Sequence, residues 1–214
     1  MKRLDSKIFW GLLLILMGIL FMLANMDFIS LTVVGPLLFG AIGLLFVIFF
    51  MLRKDNWWAA IPGLALLSLA LVSGAEWVLP VSLESWSGAI FLGGLALGFF
   101  AVYARTLAEQ WWALIPAGTL TTFSAIIVME TLQILQGEAL GGVFLLGMGL
   151  TFALVYISPS PTERQKWAAI PAAILAAMGV LGIVALTDLL AYVWPVALIL
   201  LGLYILLRRP RNRG

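Results

Sequence analysis

The chain has 214 residues, of which 64% are apolar and only 10% charged, and its mean hydropathy is +1.14. A water-soluble domain of this size cannot hide that much apolar surface, so the composition specifies an integral membrane protein. There is no Cys and no His, which removes disulfides, thiolate metal sites, Cys nucleophiles, the usual haem or zinc ligand and the commonest general base.

A helix needs about 20 apolar residues to cross the hydrocarbon core with its backbone polar groups satisfied internally. Charge-poor runs of this length fall at 8–25, 31–52, 57–74, 87–104, 111–129, 139–157, 167–186 and 189–207. Runs such as 8–24 and 189–207 are apolar on every face, whereas a transmembrane β-strand alternates apolar and polar residues over about ten positions. The expected fold is all-α: a single polytopic domain over 1–214, an eight-helix transmembrane bundle. Lys2, Arg3 and Lys7 ahead of the first run open like a signal peptide. The run is long and no small-x-small cleavage site follows it, so it reads as a retained first helix.

Charge sorts by loop. Lys2, Arg3, Lys7, Arg53, Lys54, Arg105, Arg164, Lys166, Arg208, Arg209, Arg211 and Arg213 fall on one side, and they are all the basic residues in the chain. Asp27, Glu76, Glu84, Glu130, Glu138 and Asp188 fall on the other. The positive-inside rule then places both termini in the cytoplasm.

The chain also repeats. Trp57-Trp58-Ala59-Ala60-Ile61-Pro62 recurs as Trp111-Trp112-Ala113-Leu114-Ile115-Pro116 and as Lys166-Trp167-Ala168-Ala169-Ile170-Pro171, with prolines 54 and 55 residues apart. Phe91 to Tyr103 aligns with Phe144 to Tyr156 at a shift of 53. Trp10 marks a degenerate first copy without the proline. The expected unit is a helical hairpin in four tandem copies, 1–54, 55–108, 109–164 and 165–214, entering the membrane in the same direction. The Trp-Trp-x-x-Ile-Pro element reads as an interfacial anchor, either opening a helix at its proline or kinking it one turn in. Docking of a partner or a lipid head group is the functional alternative.

Small residues mark close helix approach: Gly40 with Gly43, Gly94 with Gly98, Gly147, Gly179 with Gly182, and the alanines of 167–186. They read as contacts within the bundle, and the oligomeric state stays open.

No ionisable residue falls at bilayer depth, which argues against proton-coupled transport and retinal binding. Thr119, Thr121, Thr122 and Ser124 form the one hydroxyl cluster in a span. Such groups ordinarily bond back to their own or a neighbouring helix; the alternative is a polar pocket at Thr121, Thr122 and Ser124. The external carboxylates lack the convergent oxygens of a cation site, and the terminal arginines read as an anchor to anionic lipid. No catalytic constellation, cofactor site or nucleic-acid motif is present.

Ile8-Phe9-Trp10-Gly11 through Phe21, within Arg3 to Asp27, resembles the transmembrane region shared by the LiaI and LiaF proteins of bacterial envelope-stress systems. Trp194-Pro195-Val196-Ala197 through Tyr204, followed by arginines, resembles the closing helix of the same region. The resemblance covers the first two spans and the last two. It implies a bacterial cytoplasmic-membrane protein that modulates a sensor kinase; LiaF-type proteins add a soluble C-terminal domain, whereas the sequence here ends at Gly214. The expected function is a non-catalytic membrane scaffold or regulatory partner, with the lipid bilayer and a membrane protein such as a sensor kinase as partners. The alternative is a passive pathway or pocket for a neutral or lipid-like solute.

Overall fold

The computed structural model describes residues 31–78, 83–159, 165–185 and 189–207, with isolated positions between 10 and 22. Seven long helices occupy this range: α1 (Leu31–Leu52), α2 (Ala60–Val78), α3 (Ser87–Arg105), α4 (Leu114–Thr131), α5 (Ala139–Ile157), α6 (Ala169–Ala185) and α7 (Leu189–Leu207). No strand occurs among the described residues. Among the described residues, six segments are long and apolar enough to cross a membrane: Val33–Leu52, Lys54–Ala75, Glu84–Arg105, Trp111–Thr131, Ala139–Ile157 and Lys166–Val184. The run at 8–25, apart from its isolated positions, lies outside the described residues. So do Asp27, Asp188, Arg164, the basic N-terminus, the arginine tail and most of the amino-terminal stretch resembling LiaI and LiaF.

The packing is that of a protein in hydrocarbon. The buried side chains are small (Ala60, Ala75, Ala89, Ala96, Ala117, Ala139), whereas the large ones face outward, with Leu97 60% exposed, Leu150 66% and Ile157 69%. Lipid tails are as apolar as leucine, so burying a leucine between helices gains little, and helices associate by bringing backbones close.

Each substantial helix–helix packing among the described residues joins sequence neighbours: α1 on α2, α2 on α3, α3 on α4, α4 on α5 and α5 on α6. Among the described residues these helices pack as antiparallel neighbours in file. Short connections leave each helix little choice but to return beside its predecessor. The link between α4 and α5 turns through two left-handed residues, Gln133 (φ 55°) and Gly137 (φ 62°).

Glycines set the spacing of the row. A Cβ on Gly43 would lie 3.0 Å from the Gly63 carbonyl oxygen across the α1–α2 contact. On Gly94 it would meet Ser68 at 2.5 Å, and on Gly98 the Ile61 Cα at 2.9 Å, both between α2 and α3. Gly147 faces Thr122, and Gly118 faces Thr151, between α4 and α5. A Cβ on Gly179 would come 2.5 Å from the Leu146 amide nitrogen, and one on Gly182 3.3 Å from the Gly142 Cα. A Cβ on Gly40 would have more room, at 3.6 Å from the Ala70 Cβ. Gly63, Gly118, Gly142 and Gly149, which sequence spacing did not single out, also lie where a Cβ would come within 3.0 Å of the neighbouring helix.

Antiparallel packing sorts the connections to two ends. Arg53, Lys54, Arg105 and Lys166 share one end with Asp55 and Glu109, and Glu84, Glu130 and Glu138 share the other.

A Cβ on Gly149 would stand 2.7 Å from the Ala176 backbone nitrogen, whereas one on Gly141 meets nothing within 4 Å. Gly149→Val is therefore expected to destabilise the protein by about 1–3 kcal/mol through overpacking. Gly141→Val should leave thermal unfolding in detergent unchanged. Equal melting of the two variants would contradict the packing described.

Candidate functional site: an aromatic ladder above two grooves

The repeated Trp elements lie at the basic end. Trp57 and Trp58 sit in a 3₁₀ turn, Lys54–Ala59; Trp111 and Trp112 sit in Trp111–Ala113, and Trp167 in Lys166–Ala168. The α-helices begin immediately afterwards, which makes Pro62, Pro116 and Pro171 the third residue of α2, α4 and α6. First-turn N–H groups have no acceptor within the helix, so a proline there costs no ladder bond. The tryptophans stand outside the α-helices, in turns just ahead of them, although the sequence places them at the start of the spans.

Trp58, Trp112 and Trp167, at the same position of each element, each make an edge-to-face contact with a Phe from the preceding helix. Phe46 meets Trp58 at 6.0 Å, Phe99 meets Trp112 at 6.3 Å and Phe152 meets Trp167 at 5.9 Å, with interplanar angles of 77°, 83° and 76°. The three phenylalanines are spaced 53 residues apart. Successive elements also touch: Trp57 meets Trp112 at 5.8 Å, and Trp111 meets Trp167 at 6.4 Å. The result is a ladder of edge-to-face rings, the geometry favoured by the aromatic quadrupole. The Trp112 Nε1–H donates to Gln110 Oε1 at 2.7 Å, and the Trp167 Nε1–H to Gln165 Oε1 at 2.8 Å.

Beneath the rings the contacts repeat again. Ala59, Ala113 and Ala168 are fully buried, as are Val102 and Val155. Val102 packs with Ala60 and Ala113, and Val155 with Leu114 and Ala168. Tyr103 borders both clusters, and its hydroxyl pairs with that of Ser158 at 3.1 Å. The Arg105 guanidinium lies 4.3 Å from the centre of the Phe50 ring, a cation–π contact that ties the end of α3 to α1. Sequence reasoning missed Phe46, Gln110, Gln165, Val102 and Val155. The signal was available in their shared spacing of 53 to 55.

The hydroxyl cluster of α4 is committed. Thr119 donates to Ile115 O, Thr121 to Ala117 O and Thr122 to Gly118 O, each at 2.8 Å. Ser124 donates across to Ala89 O of α3, also at 2.8 Å. Two grooves border these groups. One of about 550 Å³ lies between α2, α3 and α4, with Thr121 and Ser124 on its wall. Another of about 350 Å³ lies between α3, α4 and α5, with Thr121 and Thr122 on its wall. The three residues are thus divided between two cavities whose remaining lining is mostly apolar. Among the described residues no three His, Cys, Asp or Glu side chains form a group that would hold a metal ion. Compared with protein-family models, curated proteins and solved structures, the chain matches none.

Trp112 takes part in two ring pairs, each worth about 0.5–1.5 kcal/mol beyond area burial. Trp112→Leu is expected to lower unfolding stability in detergent by about 1–3 kcal/mol, and Trp112→Phe by less, because it keeps a ring and loses only the bond to Gln110. Wild-type stability in Trp112→Leu would show that the ladder holds nothing.

Proposed function

We propose that the chain is a non-catalytic membrane scaffold acting as a regulatory partner in the bacterial envelope. It is built as four tandem helical hairpins with eight spans, N-terminus and C-terminus in the cytoplasm. The observation that carries this reading is the recurrence of one aromatic and small-residue contact set at three successive elements. Catalytic sites need unlike groups converging on one point, whereas here like groups repeat along a row. The span hydroxyls add support, because each hydroxyl of the α4 cluster donates to a backbone carbonyl.

The orientation rests on charge. All twelve basic residues sort to one side of the eight-span reading, and positive charge flanking spans is retained in the cytoplasm. The Trp ladder then lies at the cytoplasmic interface, where indole rings favour the head-group layer. The resemblance of both ends of the chain to LiaI and LiaF supports a sensor kinase as the partner and the cytoplasmic membrane of a bacterium as the location.

The chain has no native cysteine, so single cysteines report topology cleanly. Ser85→Cys should react with an impermeant thiol reagent in intact cells, and Lys54→Cys only after permeabilisation; the reverse pattern would overturn the orientation. In-membrane crosslinking followed by mild-detergent purification should recover a stoichiometric membrane partner. Recovery of the chain alone, or turnover by the purified chain, would overturn the scaffold reading.

A further inference from the structure

The two grooves are copies of one another. Leu64, Ser68 and Leu71 of α2, with Gly94 and Leu97 of α3, line the first. Gly118, Thr122 and Ala125 of α4, with Gly147 and Leu150 of α5, line the second. Each residue of the second set follows its counterpart by 53 or 54 positions. The hairpin repeat therefore produces not only a repeated contact but a repeated cavity, and both cavities open outward past exposed leucines, Leu97 and Leu150.

The chemistry of the lining selects the occupant. Volumes of about 550 and 350 Å³ are those of small-ligand sites, and a transmembrane helix about 10–12 Å across does not enter them. A partner helix would also need small residues to seat against, but Gly94 is covered by Ser68 and Gly147 by Thr122. A polar solute finds the hydroxyl protons already taken: Ser68 donates to Ala65 O at 2.8 Å, and Thr121, Thr122 and Ser124 are bonded as above. What fits is a hydrocarbon chain. Along α3 the first groove runs from Ile90 to Phe100, about 15 Å at 1.5 Å per residue or half of a core about 30 Å thick, and it is centred near the middle of the helix. Arg105 closes the same helix five residues further on, at the end that also carries Lys166 and the Trp ladder.

We propose that each groove holds an acyl chain of a membrane phospholipid, its head group at the basic, Trp-bearing end and preferentially anionic. This rests on the grooves themselves and is independent of whether a kinase is the scaffold's partner.

The test uses the full chain reconstituted in vesicles of equal phosphatidylglycerol and phosphatidylcholine, extracted in mild detergent and weighed by native mass spectrometry. The wild type should retain two phospholipids, with phosphatidylglycerol several-fold enriched over phosphatidylcholine. Leu97→Trp and Leu150→Trp, each filling one groove, should each lose one lipid, and the double variant both, with helical circular dichroism unchanged. Leu71→Phe and Ala125→Phe fill the same grooves from the opposite wall and should give the same losses. Undiminished retention in both double variants, or a folded wild type that retains no lipid, overturns the proposal. Equal retention of the two lipids overturns its head-group part. A photoreactive phenylalanine at position 97 should crosslink to phospholipid, and crosslinking to a second polypeptide overturns the assignment.

Discussion

The structure depends on how closely two backbones approach where each Trp turn meets the preceding helix. Ala59, Ala113 and Ala168 are fully buried there, and Val102 and Val155 fill the space beside them. In hydrocarbon no solvent drives helices together, so the attraction comes from dense contact and internally satisfied hydrogen bonds. A methyl group at the foot of the turn lets the helices meet, and the rings above then come within edge-to-face range. A larger residue at Ala113 would part Trp112 from both Phe99 and Trp57, since all of these contacts share the same short segment.

From this fixed end the rest follows. The ladder joins successive Trp turns that lie two helices apart in the chain, since Trp57 reaches Trp112 and Trp111 reaches Trp167, while the helices pack in file. One or two turns deeper, glycines hold consecutive helices together at Gly94 and Gly147, and the grooves lie on the outward side of those contacts. The contacts and the cavities thus recur at residues 53 to 55 positions apart. The hydroxyls of Thr121, Thr122 and Thr151 each donate to a backbone carbonyl one turn back in the same helix.

The helical, membrane-spanning character was legible in the sequence because long apolar runs have few structural solutions in a bilayer. The order of the helices in space was less so. Runs that are apolar on every face carry no amphipathic stripe, so nothing marks which side of α5 meets α4 and which meets lipid. Glycine spacing recovers part of this: Gly94 and Gly98 share a face and both touch α2. It fails for Gly141 and Gly142, adjacent in sequence, of which one faces open space and the other meets Ile183. The Thr and Ser cluster was visible as a group, but its division between two grooves depends on where α3 and α5 lie beside α4. Phe99 and Phe152 stand at matching positions of the sequence repeat, but their pairing with the tryptophans, and the place of Phe46 beside them, become visible only in the structure.

The central claim is that one aromatic contact is built repeatedly and holds the row together. Double-mutant cycles at Phe99–Trp112 and at Phe152–Trp167, read by reversible unfolding in detergent, test it most directly. The account predicts coupling of about 0.5–1.5 kcal/mol at each pair, alike at both. Additive single-mutant effects at both pairs, or coupling at only one of them, would contradict it.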